Sequence, residues 1–202
     1  MSENREYIEQ YFEQMAQILS KLPHEPVSDA IDLLFDTWRN SGTVYIAGNG
    51  GSASTASHFA CDLAKWTIAA GQDRFKVMAL TDNMPLFSAL MNDEGPASVY
   101  AEQLEPFIQA GDALILISVH GGSGEGGAGP WSQNLLRALH VAKAKGAKTL
   151  GLSGFDGGAL SKEADVCIVI PAESTPQVES FHLAVEHLIC DRLRQRIASN
   201  ER

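Results

Sequence analysis

The chain has 202 residues, 45% of them hydrophobic and 20% charged, which is enough for one domain with its own core. Its 15 Lys and Arg against 25 Asp and Glu give a formal charge of −10, with no basic block. That balance argues against nucleic acid as the primary ligand but leaves a small phosphate open. The start, MSENREYIEQ, is polar and lacks a signal-peptide apolar region, and no apolar run reaches membrane-span length. Cys61, Cys167 and Cys190 are scattered without metal-ligand spacing. Reduced thiols in a cytoplasmic protein are the expectation.

Two helices come first. Ile8, Phe12, Met15 and Leu19 recur at helical spacing between about Asn4 and Leu22, and Pro23 and Pro26 break the pattern. A second helix is expected from about Val27 to Trp38. Residues 1–40 thus read as a helical extension on a domain spanning 41–202, the two forming one structural unit. Strands then alternate with helices. The strands are TVYIAG (Thr43 to Gly48), FKVMAL (Phe75 to Leu80), DALILIS (Asp112 to Ser118), KTLGLS (Lys148 to Ser153) and VCIVIP (Val166 to Pro171). Between them lie helices at about Ser52 to Trp66, Pro85 to Met91, Ala97 to Pro106 and Gln133 to Gly146. A long helix from about Thr175 to Ile197 follows the last strand. Apolar strands alternating with helices predict an α/β fold with a five-stranded parallel sheet covered on both faces. Ligands of such sheets bind at the carboxyl ends of the strands.

Three of those ends have unusual composition, the one after the second strand being TDN (Thr81 to Asn83). GNGGS, running from Gly48 through Asn49, Gly50 and Gly51 to Ser52, joins a strand to a helix and presents N–H groups at a helix N-terminus. That is anion-binding geometry. The same five residues also read as a plain tight turn capped by Ser52. They match neither the P-loop nor the dinucleotide fingerprint. The third strand runs into SVHGGSGEGGAGPWS, where Ser118, His120, Ser123 and Ser132 surround a glycine-dense segment able to wrap a phosphate or to act as a lid. His58 and Asp62 share one helix face four residues apart. On the last helix, Glu179, Glu186 and His187 fall on one side, and Phe181, Ala184, Val185 and Leu188 on the roughly opposite, buried side. His182 falls between and reads as structural. Two such helices together offer two His and two carboxylates, a shell for zinc or another divalent metal. On these residues alone, either Glu179 or Glu186 serves as the carboxylate of the second helix.

GNGGSASTASHFACDL resembles the opening motif of sugar isomerase (SIS) domains, and most closely that of the phosphoheptose isomerase family. ALTDN, MNDEGPASVYAEQL, GDALILIS, LSGFDGGALSKEADVCIVIP and VESFHLAVEHLICD are similar to later segments of that family, so the resemblance covers nearly the whole chain. It implies a flavodoxin-like SIS fold, a homotetramer with sites between subunits, and interconversion of sedoheptulose 7-phosphate with an aldoheptose 7-phosphate. It further implies bound zinc, a base on the first-motif helix and an opposing acid or base on the last helix. Carried over by position, the metal set is His58, Asp62, Glu179 and His187, with Asp62 and His187 catalytic. The substrate set is Asn49, Gly50, Gly51, Ser52, Asn92, Asp93, Ser118 and either Ser123 or Ser132, with His120 at a position that is serine in the family and Asp82 nearby.

Three departures stand out. Asp62 replaces a glutamate, Glu179 replaces a glutamine, and the compact serine-rich loop is expanded between Gly121 and Trp131. The competing expectations are a non-catalytic sugar-phosphate-binding protein of the DnaA initiator-associating type and an isomerase of another sugar phosphate. No direct nucleic-acid or membrane partner is expected.

Overall fold

The computed structural model describes residues 2–122 and 132–199. Five strands, β1 (Thr43–Gly48), β2 (Lys76–Ala79), β3 (Ala113–Ile117), β4 (Lys148–Ser153) and β5 (Val166–Val169), form one sheet in the order β2-β1-β3-β4-β5. Every pairing is parallel, as the apolar strand runs predict. The chain leaves β1 to one side for β2 and crosses to the other side for β3. The β1/β3 boundary is therefore the topological switch point, where such sheets bind ligands. Gly48 pairs with Ile117 there, which sets the loops after β1 and β3 side by side.

Strand residues alternate between two apolar layers, as the pleat requires. Val44, Ile46, Ile115, Ile117, Leu150 and Leu152 face one layer, which is covered by α1 (Glu3–Leu19), α2 (His24–Arg39), α3 (Gly51–Lys65) and α8 (Thr175–Ala198). Tyr45, Ala47, Leu114 and Leu116 face the other. That layer is covered by α4 (Met84–Asp93), α5 (Ala101–Leu104), α6 (Gln133–Ala144) and α7 (Leu160–Glu163). The second helix is no appendage, because Ala30, Ile31, Leu34 and Phe35 are core residues.

Four expectations change. α2 begins at His24, so Pro26 lies inside its first turn, where a missing N–H costs nothing. The helix expected from Ala97 to Pro106 is a single turn, Ala101–Leu104, ending before the residue that precedes Pro106. α7 was not expected, since one turn carries no periodic signal. The buried face of α8 is also different. Leu188 is 52% exposed, whereas His182 and Glu186 are fully buried. α8 packs between α2, α3 and the sheet, so its buried arc is wider than one apolar stripe.

His182 gives a pH prediction. Its Nε2 lies 3.1 Å from the Ser153 carbonyl, and burial pulls its pKa down to about 4. The folded protein holds the neutral ring, while the unfolded chain binds a proton below about pH 6.5. The resulting stability is complete above pH 6.5 and is lost as pH falls toward 4, by about 3 kcal/mol. Unfolding free energies of the wild type and His182→Asn, measured from pH 7 to 4, should converge by that order. Parallel curves would refute the assignment.

Candidate functional site between α3 and α8

The turn after β1 is held from two directions. Tyr100 donates its hydroxyl to the Gly48 carbonyl at 2.5 Å, and burial pushes its pKa up to about 12, so the donor persists at any ordinary pH. Asn49 and Asn134 exchange amide hydrogen bonds of 3.0 and 2.8 Å across the switch point. Asn134, in the first turn of α6, was missed in the sequence; its signal is an Asn two residues after Ser132 at a helix start. Gly50 has φ +57°, and a side chain there would meet nothing within 4 Å, so this glycine faces open space. Gly51 differs, since a Cβ would lie 2.2 Å from Glu179 Oε1. The Glu179 carboxylate therefore lies against the first turn of α3, where the helix dipole favours an anion. Ser52, the next residue, is buried.

After β3, Ser118 is buried and its Oγ lies 3.4 Å from that of Ser132, which stands in the left-handed region at φ 54° at the N-cap position of α6 without a side-chain capping bond. The exposed His120 ring stacks on Phe155 at 4.3 Å between centroids. Ser123 and the insertion up to Trp131 lie outside the described residues. Asn92 and Asp93, at the exposed end of α4, bond to each other at 2.7 Å. Asp82 accepts a hydrogen bond from Ser57 on α3.

Two turns into α3 lies the densest chemistry. His58 and His187 bring their Nε2 atoms within 3.0 Å across the α3–α8 contact. Asp62 Oδ2 is 3.7 Å from the first nitrogen and 3.5 Å from the second. Glu186 Oε1 is 3.6 and 3.7 Å from the same two nitrogens. One ligand atom from each of His58, Asp62, Glu186 and His187 fits within a 4.8 Å group. Atoms held by one tetrahedral ion at about 2.0–2.2 Å sit about 3.3 Å apart, so these separations suit a small divalent cation. Burial pushes the Glu186 carboxyl up to about 8, with the Asp62 charge adding to the effect. The expected grouping of His58, Asp62 and His187 is thus present in space. Glu179 stands outside it, because it sits nearly two turns before Glu186 on α8 and is engaged at Gly51.

A five-stranded parallel sheet in the order β2-β1-β3-β4-β5, with helices on both faces, defines the flavodoxin-like class of α/β folds. Residues 10–154 match the SIS domain family. The chain is 33% identical over 182 residues to a phosphoheptose isomerase of Helicobacter pylori (strain Shi470), covering 87% of this chain and 86% of that protein. It superimposes on the phosphoheptose isomerase GmhA of Neisseria gonorrhoeae with a TM-score of 0.83 at 26% identity, covering 95% and 98% of the two chains. It is also 47% identical over 178 residues to the lincomycin biosynthesis protein LmbN of Streptomyces lincolnensis. That match takes in 86% of this chain but only 64% of LmbN, so the chain spans less than two thirds of that relative's length. The chain belongs to the SIS-domain phosphoheptose isomerase family.

Proposed function

We propose that this protein interconverts sedoheptulose 7-phosphate and an aldoheptose 7-phosphate. Family membership places it among sugar-phosphate isomerases; the choice of a seven-carbon substrate is our reading. The observation that carries it is the convergence of His58, Asp62 and His187 beside the β1/β3 switch point. Gly50, Ser52, Ser118 and Ser132 would grip the phosphate, with His120 beside them and Ser123 a further candidate by sequence alone. Asn49, fixed by Asn134, would orient the sugar, with Gly51 at the turn and Asn92 and Asp93 farther along it. Six residues of helix separate Ser52 from His58, about 9 Å along the axis. A phosphate held at the turn therefore places the reacting carbons near His58 and Asp62 when the open chain has roughly six to seven carbons, with bonds of about 1.5 Å in a zigzag.

In the reaction, Asp62 takes the proton from one of two adjacent carbons while His187 protonates the neighbouring carbonyl oxygen. The product is an enediol. Return of the proton to the other carbon, with loss of the opposite hydroxyl proton, completes the isomerisation. The remote phosphate grip supplies binding energy that orients the carbons under these groups. His58, Asp62 and His187 would hold zinc or another divalent cation, with a carboxylate of α8 as the fourth group. Bound there, the ion would hold these groups in register and would polarise the carbonyl only on admitting the substrate oxygen as a further ligand. The donor chemistry fits, since two imidazoles and carboxylates are zinc ligands.

No helix is long and apolar enough to cross a membrane among the described residues. The apolar side chains of Tyr7, Ile8, Phe12 and Leu19 are exposed along α1 and support a homo-oligomeric, tetrameric assembly. The thiols are unpaired, which supports a cytoplasmic setting.

Metal-stripped protein should turn over sedoheptulose 7-phosphate only after zinc is added back, with a new aldose phosphate visible by NMR. A panel of five- to seven-carbon phosphates separates this reading from an isomerase of another sugar phosphate, which the expanded β3 loop favours. Binding without turnover across the panel would point to the non-catalytic alternative.

A further inference from the structure

We propose that Glu186 closes the cation site as its fourth protein ligand, so that this chain binds a divalent ion through two imidazoles and two carboxylates. The inference rests on the reading that His58, Asp62 and His187 hold a cation, and it replaces the expected Glu179 with a residue on the next part of the same helix.

Three observations carry it. Glu186 is fully buried, and neither of its carboxylate oxygens has a hydrogen-bond partner. A buried carboxylate left without a partner is costly, and such groups are found paired or on metals. Its Oε1 is nearly equidistant from the two histidine nitrogens, at 3.6 and 3.7 Å. That places it at a fourth corner relative to His58, His187 and Asp62. Glu179, by contrast, lies with its carboxylate against Gly51 in the first turn of α3.

The geometry also explains how neighbours on one helix can serve one ion. Side chains at successive positions leave the helix about 100° apart. Glu186 emerges on the buried side and His187 on the half-exposed side, and the two converge in the crevice that α3 closes. His58 and Asp62, one turn apart on α3, complete the set from across it. Two carboxylates with two neutral imidazoles balance the charge of a divalent ion. The ion would thereby supply the countercharge that buried Glu186 lacks within the protein.

The test is zinc binding to the metal-stripped full-length protein, measured with a competing chelator and by thermal shift. The variants are Glu186→Gln, Glu179→Ala and His187→Ala. Loss of groups that only support a ligand already weakens metal affinity 10–100-fold, so loss of a direct ligand should weaken it by about 10-fold or more. Glu186→Gln should show that loss and a much smaller zinc-induced rise in Tm. Its metal-free Tm should equal or exceed that of the wild type, because the unpartnered carboxylate is gone; this separates ligand loss from misfolding. Glu179→Ala, which leaves no side chain able to ligate at that position, should bind zinc close to the wild type and far more tightly than Glu186→Gln. If Glu186→Gln binds zinc like the wild type while His187→Ala does not, the cation site stands and Glu186 is not its ligand. If Glu179→Ala shows the loss instead, Glu179 holds the place and the proposal is overturned. If wild-type protein binds no zinc, both the underlying reading and the proposal fail.

Discussion

Asp62→Asn should lower isomerase turnover by about 10²–10⁴-fold, the usual contribution of a positioned acid or base. The substitution keeps size and shape and removes the basic oxygen. Asp62 belongs to α3, its side chain is about one-fifth exposed, and its Oδ2 faces His58 and His187 rather than the core. The helix has no structural need of the charge, so the circular dichroism spectrum and Tm of the metal-free variant should stay close to wild type. The loss should appear in kcat, because the proposed phosphate grip would lie at the other end of the substrate and be untouched. Activity within threefold of wild type, followed by NMR under saturating substrate, would remove Asp62 from the proposed chemistry. His187→Ala is the companion measurement and should fall by a similar order.

Gly121→Ala should be the most damaging single methyl group among the described loop residues. Gly121 has φ +64°, and a Cβ there would lie 1.9 Å from the Gly157 carbonyl oxygen. The clash is with backbone, so no rotamer change relieves it. Gly121 also donates to Ser118 O at 3.0 Å and accepts from Leu160 N at 2.9 Å. The first bond closes a turn within the loop after β3, and the second latches that loop onto the segment after β4. Left-handed strain of about 1–2 kcal/mol and overpacking of about 1–3 kcal/mol add in the same direction. For a domain of this size the expected fall in Tm is about 5–15 °C. Sugar-phosphate affinity should fall too, since Ser118 and His120 flank the same latch. An unchanged Tm by calorimetry would mean that the two loops are not coupled.

The sheet was legible because buried parallel strands are short apolar runs with clear punctuation, and all five lie within two residues of their expected bounds. GNGGS was legible as a strand-to-helix turn because its glycines stand where close approach requires them, but Ser52 is not the cap: Gly50 takes that place and Ser52 lies inside the first turn of α3. The partition of α8 was not. Its polar stripe looks solvated in one dimension, yet Glu186 is buried because a second helix, α3, covers that stripe. The same limit hid Asn134, whose partner Asn49 is 85 positions away. His58 and His187 were nameable individually, but their encounter depends on how two helices pack.

That encounter spans 129 positions of sequence. During synthesis, α3 and the first three strands leave the ribosome well before α8 does, and domains generally fold as units. A nascent chain whose last helix is still in the exit tunnel has His58 and Asp62 on one surface and nothing opposite them. The four-residue group cannot exist until α8 docks, so any ion it holds would arrive only after α8 has left the ribosome.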